Sequence, residues 1–92
     1  MISSNRIKKL LNEVISQLKG ESSFVIKKYN SIESLVIAMW YYRYCTYTEK
    51  EYIVQLIYDN PPKHPYSKNL YFHPKDTKKK IQYVEGLIAA IQ

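Results

Sequence analysis

Residues 35–42 read Leu-Val-Ile-Ala-Met-Trp-Tyr-Tyr, a run without a charged side chain, and residues 52–58 form a second apolar run. Both runs are dense in β-branched and aromatic residues, which favour strands. In a strand, successive side chains point to opposite faces, so both faces of the resulting sheet would be apolar. A chain of 92 residues has little material left to cover two faces. We therefore expect a second copy of the chain or another protein to cover one of them.

An amphipathic helix is predicted to precede these runs. Its apolar positions recur with helical spacing, namely Ile7, Leu10, Leu11, Val14, Ile15 and Leu18. Ser4 or Asn5 can cap its start, and Gly20 stands where a left-handed residue ends many helices. We place Gln17 on the solvent-facing side.

A second amphipathic helix is predicted at the end of the sequence. Asp76 or Thr77 can cap it after Pro74, and its buried stripe would be Ile81, Val84, Leu87, Ile88 and Ile91. Gly86 lies in the middle of this helix, where glycine is unfavourable, which predicts close packing against a neighbour.

The predicted fold class is α+β, with an N-terminal helix, an antiparallel sheet of three to four strands and a C-terminal helix in two layers. The strands would cover residues 24–26, 35–47, 51–58 and 70–72, with a turn at residues 48–51. This order is similar to that of double-stranded-RNA-binding domains, although no motif of that family is present. The whole chain, residues 1–92, is expected to form one domain.

The alternative fold is an all-α bundle of four helices. Asn30-x-x-Glu33 and Thr48-x-x-Glu51 both have the pattern of a helix-capping box. Apolar residues from Ile32 to Trp40 also fit a helical stripe. Strands are preferred because a helix over this stretch would have almost no polar face.

Few residues in this chain have the chemistry of a catalytic or metal site. The single cysteine, Cys45, excludes an internal disulfide and a multi-thiolate zinc site, and it favours an intracellular, cytoplasmic location. A Cys–His pair would need Cys45 beside His64 or His73, and no local signature indicates one. No glycine-rich phosphate loop, signal peptide or membrane-spanning run is visible. We predict a protein that is not an enzyme, binds no cofactor or metal and does not enter a membrane.

The charge distribution indicates a possible partner. The formal net charge is +6, and residues 61–80 contain six lysines but one acidic residue. Lysines neutralise phosphates and aromatic rings stack on bases, which together favour nucleic acid. Since only two basic residues are arginine, the expected contact is with the DNA or RNA backbone. The predicted contact residues are Lys63, Lys68, Tyr71, Lys75, Lys78, Lys79 and Lys80, which Lys27, Lys28 and Arg43 could extend.

An alternative function comes from the aromatic run. Met39, Trp40, Tyr42 and Tyr44 are the predicted interface residues. In the nucleic-acid-binding protein this interface would join two copies of the chain, whereas in the alternative, a small adaptor or inhibitor of the viral or plasmid type, it would dock on another protein. A Cys/His enzyme is the remote third alternative.

Overall fold

The computed structural model describes residues 2–27, 29–63, 72–73 and 75–91, and these form four helices. The helices are α1 (Ser4–Lys19), α2 (Ile32–Tyr41), α3 (Tyr47–Asp59) and α4 (Thr77–Ala90). None of the residues in these ranges belongs to a strand. The α+β prediction is therefore wrong, and the four-helix alternative fits the structure. Two other expectations depended on a sheet, namely a homodimer formed through an uncovered sheet face and the similarity to double-stranded-RNA-binding domains. Because the described residues form no strand, neither has support from the fold.

Helix α1 confirms its prediction. Its N-cap is Ser3 rather than the expected Ser4 or Asn5, both of which lie within the helix, and it ends at Gly20, whose φ of 72° places it in the left-handed region. The N–H groups of Gly20 and Glu21 return to the carbonyls of Gln17 and Ser16, which satisfies two terminal acceptors. The expected solvent position of Gln17 is wrong, because this side chain is only 5% exposed.

Helix α2 replaces the first predicted strand. The Ser31 and Ser34 side chains form a reciprocal capping box at its start, one residue after the Asn30–Glu33 box considered from the sequence. Its buried side chains are Ile32, Leu35, Val36 and Met39. Its outward face carries large exposed side chains rather than polar ones, including those of Trp40 and Tyr41. This is why the missing polar face misled the sequence prediction.

Helix α3 replaces the second predicted strand and the turn at residues 48–51. Thr46 and Glu49 form its capping box, two residues before the Thr48–Glu51 box considered from the sequence. The helix buries Ile53 and Ile57 and ends before Asn60. Residues 24–26, expected to be a strand, lie in the loop between α1 and α2, and residues 70–71 of the last expected strand lie outside the described residues.

Helix α4 also confirms its prediction, with the Asp76 carboxylate accepting a hydrogen bond from the Lys79 N–H. Gly86 is exposed, and a Cβ there would meet no atom within 4 Å among the described residues. The close packing expected at Gly86 is thus not seen in this part of the chain.

The helices pack in two pairs, α1 with α4 and α2 with α3, and α1 also contacts α2. A single apolar cluster joins all four, drawing Leu11 from α1, Leu35 from α2, Ile53 from α3 and Leu87 from α4. Because the residues of this cluster are apolar, the candidate functional residues lie in the turns and at the helix ends rather than in the interior.

Candidate nucleic-acid interface

The lysines predicted to contact nucleic acid surround the start of α4. Lys63, Lys75, Lys78 and Lys79 are exposed, and Lys80 is half-buried. Lys68 and Tyr71, which belong to the same prediction, lie outside the described residues. The first turns of a helix disfavour cations, so folding alone does not explain this run of lysines.

A cavity of about 870 Å³ lies between residues 60–63, which follow α3, and the face of α4 that runs from Lys79 to Leu87. Lys63 and Lys79, which are distant in sequence, both line it, and so does His73. Its volume falls within the range of about 300–1,000 Å³ typical of ligand sites. The structure thus brings the two ends of the basic segment to one concave surface.

Asp76 is the acidic residue that lines this cavity among the described residues. One oxygen of its carboxylate accepts the Lys79 N–H at 3.1 Å, and the other lies 3.7 Å from Lys79 Nζ. The carboxylate is therefore engaged in capping α4 and in a loose ion pair. His73 Nδ1 accepts the Lys75 N–H at 3.1 Å.

Two aromatic rings also line the cavity. The Phe72 and Tyr83 rings lie with their centroids 5.5 Å apart at a tilt of 57°. The Tyr83 hydroxyl donates to the Asn60 carbonyl at 2.6 Å, which ties the end of α3 to α4. Tyr83 therefore has a structural role besides its place in the cavity wall.

The four residues predicted as an interface do not share one surface. Met39 is 1% exposed and belongs to the core. Trp40, Tyr42 and Tyr44 are exposed near the turn that joins α2 to α3, together with Tyr41 and Tyr47. The sheet face on which they were placed does not exist in the described part of the chain.

The rings near this turn are held by specific contacts. Tyr44 stacks on Phe24 with a centroid distance of 3.6 Å and an interplanar angle of 5°. Beside this pair lies a groove of about 510 Å³, which Lys27 and Tyr42 also line. Sequence reasoning missed this contact of Phe24 because residues 24–26 were assigned to a strand.

Lys50 lies under two of the other rings. Its side chain is almost buried, with Nζ 4.7 Å from the centroid of the Trp40 ring and 4.2 Å from that of Tyr47. The Glu51 carboxylate accepts from the same Nζ at 2.7 Å. This cation is held by aromatic faces and a carboxylate, so it fixes the rings rather than offering a free charge.

Arg6 and Glu49 fasten the start of α1 to the start of α3. Arg6 Nε donates to Glu49 Oε2 at 2.8 Å, and the Arg6 guanidinium reaches the Tyr44 carbonyl at 3.3 Å. Burial alone would raise the pKa of Glu49, but the hydrogen bonds from Arg6 and Thr46 outweigh it and lower the pKa below its usual value. The charge of the Glu49 carboxylate is therefore balanced by Arg6, next to the turn between α2 and α3.

Cys45 is buried, as expected for a cysteine that acts as a small apolar side chain. Burial, assisted by the Glu49 charge, raises the pKa of its thiol, although Arg6 and Lys50 act in the opposite direction. A raised pKa leaves less thiolate for nucleophilic chemistry. His64, its candidate partner, lies outside the described residues, and His73 is exposed beside α4.

The described ranges contain no cluster of three or more His, Cys, Asp or Glu side chains suited to a metal ion. Within the same ranges, every helix is too short or too polar to cross a bilayer. Comparison of the chain with known protein families, with curated proteins and with solved structures found no significant match.

Proposed function

We propose that this protein is a non-enzymatic, basic nucleic-acid-binding protein that contacts the phosphate backbone through the lysines around the start of α4. The observation that carries the proposal is the convergence of Lys63 and Lys79 on one cavity, with Lys75 and Lys78 exposed close by in sequence. Phosphate groups are the anions best matched to several flexible ammonium groups at a concave surface. The positive end of the α4 dipole adds to the attraction.

The chemistry favours backbone contact over base reading. Lysine ammonium groups act as point charges without the fixed fork that arginine presents to a guanine edge. Among the described residues of the basic region, Asp76 supplies the one carboxylate, and it is engaged by Lys79. The net field at the cavity is therefore positive. An intracellular location remains a prediction.

The test is a titration of labelled duplex DNA, single-stranded DNA and RNA with the full chain across a salt series, followed by fluorescence anisotropy. Log affinity should fall linearly with log salt, with a slope of about −0.9 per phosphate contacted on duplex and about −0.7 on single strands. The double variant Lys63→Glu/Lys79→Glu should bind more weakly, and its slope should be less steep by about 2, since two phosphate contacts are lost.

The matched control is Lys9→Glu/Lys19→Glu, which lowers the net charge equally at two exposed positions of α1 that do not line the cavity. We expect this control to retain most of the affinity. Equal losses in the two double variants would show that the cavity is not the site. Absence of binding to all three probes at low salt would contradict the proposed function.

A further inference from the structure

Arg43 occupies a backbone conformation that normally belongs to glycine. Its φ of 67° is the one positive value at a non-glycine residue in the described chain. The residue follows α2, where the Arg43 N–H returns to the Trp40 carbonyl and the Tyr44 N–H to the Met39 carbonyl. This is the hydrogen-bonding pattern of a glycine-ended helix, and an L side chain in it is strained. Strain of this kind in a surface turn points to a role for the side chain.

The Arg43 side chain is exposed, and it forms no hydrogen bond or ion pair with another described residue. Its cost in backbone strain is thus not offset by a partner within this part of the chain. The acidic residue at the start of α3, Glu49, is already bound by Arg6. The guanidinium is available to an external anion.

Arg43 lies in sequence between two tyrosines, Tyr42 and Tyr44. Both tyrosines line the groove to which Lys27 also contributes. Tyr42 is 59% exposed, and its ring meets that of Tyr41 edge-on at 5.3 Å. Exposed tyrosines that alternate with cations combine a stacking surface for bases with charges for the adjoining phosphates.

We propose that the turn between α2 and α3 is a stacking site for unpaired nucleobases, with Tyr42 and Tyr44 as the platform and Arg43 and Lys27 on the adjoining phosphates. This inference rests on the proposed function and deepens it, because it names single-stranded nucleic acid as the preferred ligand. Bases in a duplex are already stacked and paired, so they cannot use this platform without unstacking.

The spacing of the two sites gives the ligand a minimum length. The turn lies at the start of α3, and the cavity of Lys63 and Lys79 lies at its end beside Asn60. A helix of 13 residues is roughly 20 Å long. At the stacked rise of about 3.4 Å per nucleotide, this distance corresponds to about six stacked nucleotides. A stacked strand of four nucleotides can therefore occupy one site but not both, whereas one of twelve nucleotides spans the distance.

The experiment uses the full chain with three probes at one salt concentration, namely a four-nucleotide oligothymidine, a twelve-nucleotide oligothymidine and a duplex of twelve base pairs. Trp40 is the single tryptophan and lies near the turn, so its fluorescence reports occupancy there. We expect the longer oligothymidine to bind at least about tenfold more tightly than the other two probes.

Two variants remove the parts of the site separately. Arg43→Gly removes the guanidinium while relieving the strained backbone, so a loss of affinity cannot come from unfolding. Tyr42→Ala removes one platform and should weaken binding of the longer oligothymidine at least about fivefold, with duplex affinity unchanged. The control Tyr52→Ala removes an exposed tyrosine in the middle of α3 and should change neither affinity.

The outcomes separate this inference from the proposed function. Equal affinity for single-stranded and duplex probes, both weakened by Lys63→Glu/Lys79→Glu, would overturn the stacking site and leave backbone binding in place. The stacking site would also be overturned if Arg43→Gly and Tyr42→Ala bound the longer oligothymidine normally. Self-association of the protein alone in sedimentation, lost in Tyr42→Ala, would instead assign the turn to contact between two copies. Binding of no probe at low salt would overturn both proposals.

Discussion

The side chain of Gln17 pairs with the backbone beside Ile26 as a neighbouring strand would. Gln17 Oε1 accepts the Ile26 N–H at 2.9 Å, and Gln17 Nε2 donates to the Phe24 carbonyl at 2.7 Å. One buried carboxamide thus satisfies the donor and the acceptor of a loop that has no regular secondary structure. It also fixes the backbone of Phe24, the residue that stacks on Tyr44.

Replacing Gln17 with leucine should destabilise the protein by about 1–3 kcal/mol, because two buried backbone groups would lose their partners. Urea denaturation measures this change. The control is Asn12→Ala, since the Asn12 side chain donates to the Lys8 carbonyl at an exposed position, and it should change stability by less than about 0.5 kcal/mol. Equal midpoints for the two variants would contradict the role of Gln17.

Arg43→Gly should stabilise the protein by about 0.5–1 kcal/mol. Glycine adopts a positive φ without steric cost, and this gain is partly offset because glycine has more freedom to lose from the unfolded state. In a chain of this size, that corresponds to a rise in Tm of a few degrees. Arg43→Ala is the matched control, since it removes the same charge but keeps a Cβ in the strained conformation. Thermal unfolding of both variants distinguishes backbone strain from charge, and equal Tm values would exclude strain.

The two glycines should respond in opposite directions to alanine. Gly86 lies within α4, and a Cβ there would meet no atom of the described residues within 4 Å, so Gly86→Ala should stabilise the protein by up to about 1 kcal/mol. Gly20 has a φ of 72°, so Gly20→Ala should destabilise it by about 1–2 kcal/mol. Thermal unfolding measures both changes. A destabilised Gly86→Ala protein would show that this position is packed more closely than its surroundings indicate.

The Arg6–Glu49 contact should make stability depend on pH in the acid range. Because the pKa of Glu49 is lowered by folding from a usual value of 4.5, the folded state binds its proton less readily than the unfolded state. Its contribution is therefore complete above that usual value and is lost as pH falls through the lowered pKa. Urea midpoints measured from about pH 7 down to about pH 3 should fall less steeply in Glu49→Gln than in the parent protein. Parallel curves would contradict this assignment.

The first and last helices were predictable because their apolar residues repeat with one period and their ends carry recognisable caps. The middle was not, because β-branched and aromatic residues suit both a strand and a buried helix. Trp40 and Tyr41 occupy the outward face of α2, where a polar residue would have identified the helix. The capping box that starts α3, Thr46-x-x-Glu49, is present in the sequence. The sequence interpretation considered Thr48-x-x-Glu51 instead, two residues further along.

The sequence predicted which residues belong to the candidate sites, but not how the fold arranges them. The excess of lysine in residues 61–80 is visible in the sequence, whereas the meeting of Lys63 and Lys79 depends on how α3 and α4 pack. The inward position of Gln17 follows the spacing from Leu10 and Val14, yet its polarity argued against burial. The strained backbone of Arg43 has no sequence signature, since glycine is the residue expected there.

Because α1 packs mainly against α4, it is synthesised well before its main partner. The residues between Lys19 and Thr77 take on the order of several seconds to be added at about 5–20 residues per second. During that time the apolar stripe of α1 lacks its main partner, although its smaller contact with α2 can form. Until α4 has left the ribosome, the nascent chain therefore exposes the apolar face of α1. Chaperones that bind short apolar segments can bind this face during that interval.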